Sequence, residues 1–153
     1  MTYVELFNEQ SVLLDIQASD SDGVLGALVD GLVASNADLA PHTDALKAAL
    51  ILRESEGSTG SSGVGIPHVK SPHTDKVTVV LGVHQDGVDF NALDGEDVNV
   101  FFAVIRPEAD ADAHIGLLRW IAGIAKHEDF VSFACQASNG GQVIELLTEL
   151  APA

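Results

Sequence analysis

The sequence predicts an α/β layered fold built on a mixed β-sheet, and three observations predict it. Apolar runs rich in β-branched residues, above all Val77 to Val83 and Val98 to Ile105, read as strands. Around them apolar residues recur at helical spacing, as in Leu25, Leu28, Val29, Leu32 and Val33. The two kinds of segment alternate irregularly along 153 residues, and no linker, repeat or low-complexity block divides them. One domain over residues 1–153, with 46 % hydrophobic residues for its core, is the simplest organisation.

Taken in order, Val12 to Ile16 is a short apolar run suited to an edge strand. Asp20 to Asp22 offer caps for a helix from Gly23 to Ser35; Gly26 and Gly31 lower its propensity, so packing must hold it. Pro41-His42-Thr43-Asp44 opens a second helix with Thr43 as its N-cap. Leu46, Ala49 and Leu50 form its stripe, and Gly57 stops it. Val64 to Ile66 and Val77 to Val83 are strands, joined by a turn-rich connection from Lys70 to Asp75. Asp86-Gly87 marks a turn, and Phe90 to Gly95 a loop. Val98 to Ile105, the most apolar run, reads as a central strand that Pro107 ends. Asp110 or Asp112 caps a third long helix, with Ile115, Leu118, Ile121, Ala122 and Ala125 as its buried stripe. Glu128 to Gln136 reads as a short helix, Ser138-Asn139-Gly140 as a break, and Gln142 to Leu150 as a closing amphipathic helix.

Charge excludes some functions. Seven Lys+Arg against 23 Asp+Glu give a net charge of −16. Such a field repels nucleic acid and steers basic partners inward. Solubility alone would account for it. The even spread of acids and the scarcity of lysine favour adaptation to high intracellular salt, which stability measured against salt concentration tests. No apolar run approaches the roughly 20 residues that span a bilayer, so direct membrane insertion is not expected. The start Met1-Thr2-Tyr3-Val4-Glu5 lacks the basic residues of a secretion signal, so a cytoplasmic location is expected. The single cysteine, Cys135, excludes an intrachain disulfide and gives no metal framework; it reads as a buried small residue.

The chemistry centres on one stretch, Arg53-Glu54-Ser55-Glu56-Gly57-Ser58-Thr59-Gly60-Ser61-Ser62-Gly63-Val64-Gly65-Ile66-Pro67-His68. It leaves a helix, crosses a Gly/Ser loop that tolerates close approach of another molecule, and stops at Pro67-His68. Pro67 fixes its own φ and pushes Ile66 towards extended geometry, so His68 is held in place. A rigidly presented imidazole beside small, donor-rich residues suits a nucleophile or a ligand better than a core position.

This stretch resembles the phosphorylation-site segment of the fructose/mannitol-type (type 2) enzyme IIA domains of the bacterial phosphoenolpyruvate-dependent sugar phosphotransferase system, a family with a nitrogen-regulatory branch. That family shows Arg-Glu, a Gly-Ser-Thr-Gly loop, then Gly-Ile-Ala-Ile-Pro-His; here Arg53-Glu54, Gly57-Ser58-Thr59-Gly60 and Gly63-Val64-Gly65-Ile66-Pro67-His68 stand in that order. The likeness continues through Asp89-Phe90-Asn91-Ala92-Leu93-Asp94-Gly95, the strand Val98 to Ile105, and His114 followed by Leu117, Leu118, Ile121 and Ala122. It departs between Thr59 and Pro67, where the loop is one residue short and Ser61-Ser62 replace an apolar residue, Gly and Asn.

The resemblance implies a layered sandwich, with a central mixed β-sheet flanked by helices on both faces. It also implies a phosphohistidine carrier without cofactor or metal. His68 would accept a phosphoryl group through Nε2 from a histidine phosphocarrier protein and pass it to an enzyme IIB component for fructose-type sugar uptake. His114 would be the second active-site histidine, donating to the phosphate or tuning His68. A weak homodimer is admitted as a further association. Two alternatives stay open: a nitrogen-related regulator that transports no sugar, and a non-catalytic binding domain, for which the shortened loop is the one reason.

Elementary chemistry agrees with the first reading. A neutral imidazole is a competent nucleophile near neutral pH, with an unperturbed pKa of about 6.5. Its other nitrogen must donate to a fixed acceptor so that the attacking one carries the lone pair. Backbone N–H groups, the hydroxyls of Ser58, Thr59, Ser61 or Ser62, and Arg53 are candidates to hold the equatorial oxygens. Arg53, at the last turn of its helix, either neutralises the carbonyl end or reaches the phosphoryl site; its place at the loop root and the resemblance favour the second. Alone, His114 would read as a structural histidine at a helix start, and the resemblance reverses that. His42 and His73 read as solvated, His84 as a strand end, His127 as a helix end. A zinc site from His68, His73, His84 or His114 lacks any spacing signature. Trp120 reads as packing.

Overall fold

The computed structural model describes residues 3–109 and 111–151. Five strands form one mixed sheet: β1 (Val12–Leu13), β2 (Val64–Gly65), β3 (His68–Ser71), β4 (Thr78–Val88) and β5 (Val98–Pro107). The order is β1-β4-β5-β2, with β3 also on β5. Only β4 and β5 run antiparallel; β1 pairs β4, and β2 and β3 pair β5, all in parallel.

β5 is apolar and buried from Val100 to Ile105 because both of its faces are covered there. Val100, Phe102 and Val104 point into one core with α3 (Ala111–Ala125), α4 (Phe130–Gln136) and α5 (Gly140–Leu150). Phe101, Ala103 and Ile105 point into the other, against α1 (Ser21–Ser35) and α2 (Thr43–Ser55). The expected layers, with helices on both faces of a mixed sheet, are what forms. Among the described residues no helix is long and apolar enough to cross a membrane.

Local signals place most helix ends. Asp20 caps α1 by accepting from Gly23 N–H (2.8 Å), and Asn139 caps α5 by accepting from Gln142 N–H (2.9 Å). Thr43 is not the cap of α2. A 3₁₀ segment, Ala37–His42, runs straight into that helix, so His42 takes the cap position and the Thr43 hydroxyl donates back to Ala40 O (3.0 Å). Asp112 lies inside α3, and Asp110 falls outside the described residues.

Tertiary pairing overrides several other expectations. His68–Ser71 is a strand where turn chemistry was expected from Lys70 onward, because the open edge of β5 offers it a ladder. β4 runs through Asp86-Gly87 as a bulge rather than turning there. Gly87 adopts φ +79°, the register slips between Val83 and Val88, and the Asn99 amide donates to the carbonyls of His84 and Gln85. β1 stops at Leu13, although Ile16 N–H still reaches Val83 O (3.0 Å).

The buried face of α3 is also rotated from the expected one. Ile115 is 47 % exposed and Ala122 is exposed, while His114, Leu117, Trp120, Ile121 and Ile124 face inward. Trp120 sets that rotation by packing on Phe7 and Tyr3, with ring centroids at 6.0 and 5.8 Å. Its side chain is packing, as read. Cys135 is half-buried rather than buried, and burial raises its thiol pKa.

Candidate functional site

β2 and β3 lie end to end along β5 and together make one interrupted edge strand. Val64 and Gly65 pair with Val100 and Phe101; His68 to Ser71 pair with Val104 to Pro107. At the break Pro67 has no N–H to give, but its carbonyl accepts from Val104 N–H (3.0 Å). Gly65 permits the close approach, since a Cβ there would sit 3.1 Å from Phe90 and 3.2 Å from Phe101.

The loop before it is braced from below. Both carboxylate oxygens of Glu54 accept from Thr59, one from the N–H (3.0 Å) and one from the hydroxyl (2.6 Å). The Thr59 Oγ1 accepts in turn from Ile66 N–H (2.9 Å). The Ser58 hydroxyl donates to Phe90 O (2.8 Å). This chain locks the residue two before His68 to the end of α2. Glu54→Gln keeps the shape and loses the charge, so a loss of about 1–2 kcal/mol is expected in urea unfolding. A loss within error would mean that Glu54 does not hold the loop.

The missing loop residue is absorbed in a tight turn. Ser61 and Val64 exchange N–H···O bonds (2.9 and 3.0 Å), and the two residues between them, Ser62 and Gly63, adopt φ of +55° and +80°. Two positive φ values at the centre of a two-residue hairpin are the primed-turn pattern, which glycine makes accessible. Asp94 accepts from Ser62 N–H (2.8 Å); that bond and one from Glu96 N–H lower its carboxyl pKa.

These bonds correct one expectation. The hydroxyls of Ser58 and Thr59 are committed to the loop. Ser61 and Ser62 line a different cavity, of about 220 Å³, with Ala122, Ala125 and Lys126. None of the four lines the cavity that holds His68.

That cavity, of about 480 Å³, brings Arg53, His68 and His114 together. His68 is half-buried, and its Nδ1–H donates to Ile66 O (2.6 Å). A carbonyl only accepts, so Nδ1 carries a proton, and in the neutral ring the lone pair is on Nε2. The His114 ring lies 5.5 Å from it, centroid to centroid, tilted by 50°. Arg53 enters from the last turn of α2, where its Nη1 donates to Gly57 O (2.8 Å). It therefore closes the helix end and lines the cavity at once.

His114 is 7 % exposed, with no hydrogen-bond partner for Nδ1 among the described residues. Burial first, then the positive charges of His68 and Arg106, lower its pKa to about 4. Neutral His114 is therefore the form at neutral pH. The unfolded chain takes up this proton near pH 6.5 and the folded chain only near pH 4, so stability falls as pH drops through that window. His114→Gln is expected to remove part of that slope, about 1–2 kcal/mol between pH 7 and 4 after solvent screening. An unchanged slope in that variant would mean that His114 takes up its proton without penalty.

Two cations that the sequence reading passed over also line the cavity, Lys70 and Arg106. Register joins them: Lys70 pairs with Arg106 two residues beyond the pair His68 and Val104. The period of two from His68 to Lys70 would have marked Lys70, had that segment been read as a strand. The remaining histidines lie elsewhere. His73 is exposed and His42 half-buried, and their rings stack face to face at 3.5 Å and 5°. Buried His84 donates through Nε2 to Ala18 O (2.6 Å), and His127 is exposed past the end of α3.

The sequence model described as "Phosphoenolpyruvate-dependent sugar phosphotransferase system, EIIA 2" matches residues 5–150. A fructose-specific EIIA component of Haloferax volcanii is 29 % identical over 91 % of this chain and 90 % of its own. A nitrogen regulatory protein of Pseudomonas aeruginosa is 42 % identical over 52 % of this chain and 53 % of its own. In a fructose-specific EIIABC component of Bacillus subtilis, 25 % identical over 97 % of this chain, the match spans only 23 % of that protein. Nitrogen regulatory protein IIA-Ntr of Neisseria meningitidis superposes with a TM-score of 0.85, covering 94 % and 97 % of the two chains at 22 % identity. Enzyme IIA-mannitol of Escherichia coli, solved in complex with phosphorylated enzyme IIB-mannitol, superposes at 0.75, covering 94 % and 97 % at 15 % identity. Matched over nearly its whole length and sharing the sheet and helix layers of these structures, the chain belongs to the EIIA type 2 family of the phosphoenolpyruvate-dependent sugar phosphotransferase system.

Proposed function

We propose that this protein is a phosphohistidine carrier: His68 accepts a phosphoryl group from the histidine phosphocarrier protein and hands it to an enzyme IIB component for uptake of a fructose-type sugar. The observation that carries this reading is the Nδ1–H of His68 donating to Ile66 O, which in the neutral ring leaves the lone pair on Nε2 of a residue that lines the cavity. The donor phosphohistidine enters with its second ring nitrogen protonated. Nε2 of His68 forms the new N–P bond as the donor's N–P bond breaks, and the donor leaves as neutral imidazole. Nδ1–H stays on Ile66 O, so no proton has to move. Arg53 offsets charge on the equatorial oxygens, and neutral His114 supplies a donor without adding a second cation beside His68.

Incubation with labelled phosphoenolpyruvate, enzyme I and the phosphocarrier protein tests this. Acid-labile, alkali-stable label should appear and then pass to a fructose-type enzyme IIB. Wild type that stays unlabelled with a matched donor sinks the reading. A regulatory role is the second reading, favoured by the 42 % identity to a nitrogen regulatory protein. Label that enters but never passes to any enzyme IIB selects it. The shortened loop no longer favours lost phosphotransfer, since the Ser62-Gly63 turn absorbs it outside the cavity.

A further inference from the structure

Cations are scarce in this chain, seven Lys+Arg against 23 Asp+Glu. Three of them, Arg53, Lys70 and Arg106, line the cavity that holds His68 and His114, and Glu56 is the one carboxylate among the described residues that line it. A strongly acidic chain has placed three of its seven cations around one cavity. We propose that Arg106, with Lys70 beside it, is a second phosphoryl-binding arm of this site, facing the group carried by His68 from the side opposite Arg53. This rests on the carrier reading for the identity of the anion, but not for the existence of the site.

The sheet supplies the geometry. Side chains at i and i+2 of a strand share a face, so His68 and Lys70 point the same way. Parallel pairing sets Val104 beside His68 and Arg106 beside Lys70, which puts Arg106 on that face too, the one that α3 covers. One edge of the Arg106 guanidinium is already held: Nη1 donates to the carbonyls of Pro107 (3.0 Å) and Glu108 (3.3 Å). Arg53 is held in the same manner by Gly57 O (2.8 Å). Two planar forks, each anchored through one nitrogen, line the cavity, and among the described residues their remaining N–H groups make no further hydrogen bond. A pre-oriented fork loses little freedom when it binds phosphate.

The need follows from charge. A phosphoryl group adds about two negative charges to a chain already at −16. One guanidinium covers two of its three equatorial oxygens, and a second fork reaches the third. Arg106 is already felt across the cavity, since its charge is among those that keep His114 neutral. Its position at a strand end before Pro107 gives no hint of this in the sequence; the β3 to β5 register creates it.

The test is titration of the unphosphorylated protein with inorganic phosphate, followed by the imidazole NMR signals of His68 and His114. Arg106→Gln should weaken binding about tenfold, and Arg106→Lys, which keeps the charge and loses the fork, by a smaller factor. Lys126→Gln removes an equal charge outside this cavity and should leave binding unchanged. In the phosphorylated protein, Arg106→Gln should shorten the lifetime of the label. Phosphate binding and label lifetime both unchanged in Arg106→Gln overturn the proposal, as does an equal loss in Lys126→Gln. Should Arg106→Gln fail to fold, Arg106→Lys decides: wild-type phosphate affinity in it removes the fork from the site. The carrier reading fails separately. A wild type that binds phosphate through Arg106 but takes no label would keep this arm and sink that reading.

Discussion

His68→Ala is expected to take up no label from a matched phosphohistidine donor while melting within a few degrees of wild type. The imidazole makes one recorded bond to the fold, from Nδ1–H to Ile66 O, on a half-buried edge-strand residue. Its loss costs about 1 kcal/mol, because water reaches the carbonyl that remains. The nucleophile, by contrast, has no substitute. His114 lies across the same cavity, but it is 7 % exposed, and among the described residues its Nδ1 has no partner such as Ile66 O gives His68. Labelling and circular dichroism on the same preparation decide it. Undiminished label on a folded His68→Ala would move the acceptor to another residue and take the proposed mechanism with it.

Phe102→Ala is expected to have the largest effect on stability, a loss of about 3–5 kcal/mol. Phe102 is fully buried at the middle of β5. Its ring meets Phe7 edge-on at 6.2 Å and stacks on Phe130 of α4 at 5.8 Å. Truncation removes the ring from both contacts, and the cavity cannot collapse, because β4 and β2 hold β5 on either side. A domain stable by 5–15 kcal/mol would lose a large fraction of that margin. Urea unfolding measures it. A loss below about 1 kcal/mol would mean that α4 does not pack on the sheet as described. The two variants separate cleanly: one silences chemistry on an intact fold, the other weakens the fold and leaves the cavity residues in place.

The proposed site was legible to the extent that its residues carry local signals. Pro67-His68 and the Arg53-Glu54 helix end announce themselves over a few residues of chain. His114 needed the resemblance, since a histidine in the first turn of a helix is ordinarily unremarkable. Glu54 carries no local signal of its own beyond its place beside Arg53. Its function of gripping Thr59 became visible once the loop's path was known, and that grip removes Thr59 from the phosphate-binding candidates.

By itself the sequence determined which segments are helical, which apolar run lies at the centre of the sheet, and that a proline stiffens the backbone before His68. Each of these follows from interactions within a few residues: side-chain periodicity, capping, and a ring that locks φ. Only the tertiary structure decided that His68–Ser71 is a strand, that α3 turns His114 rather than Ile115 inward, and that Arg106 and Lys70 stand beside His68. The physical reason is common to all three. Backbone groups on the open edge of β5 and the ring of Trp120 on Phe7 reward one register and one rotation with contacts far apart in the chain, and such contacts outweigh local preference.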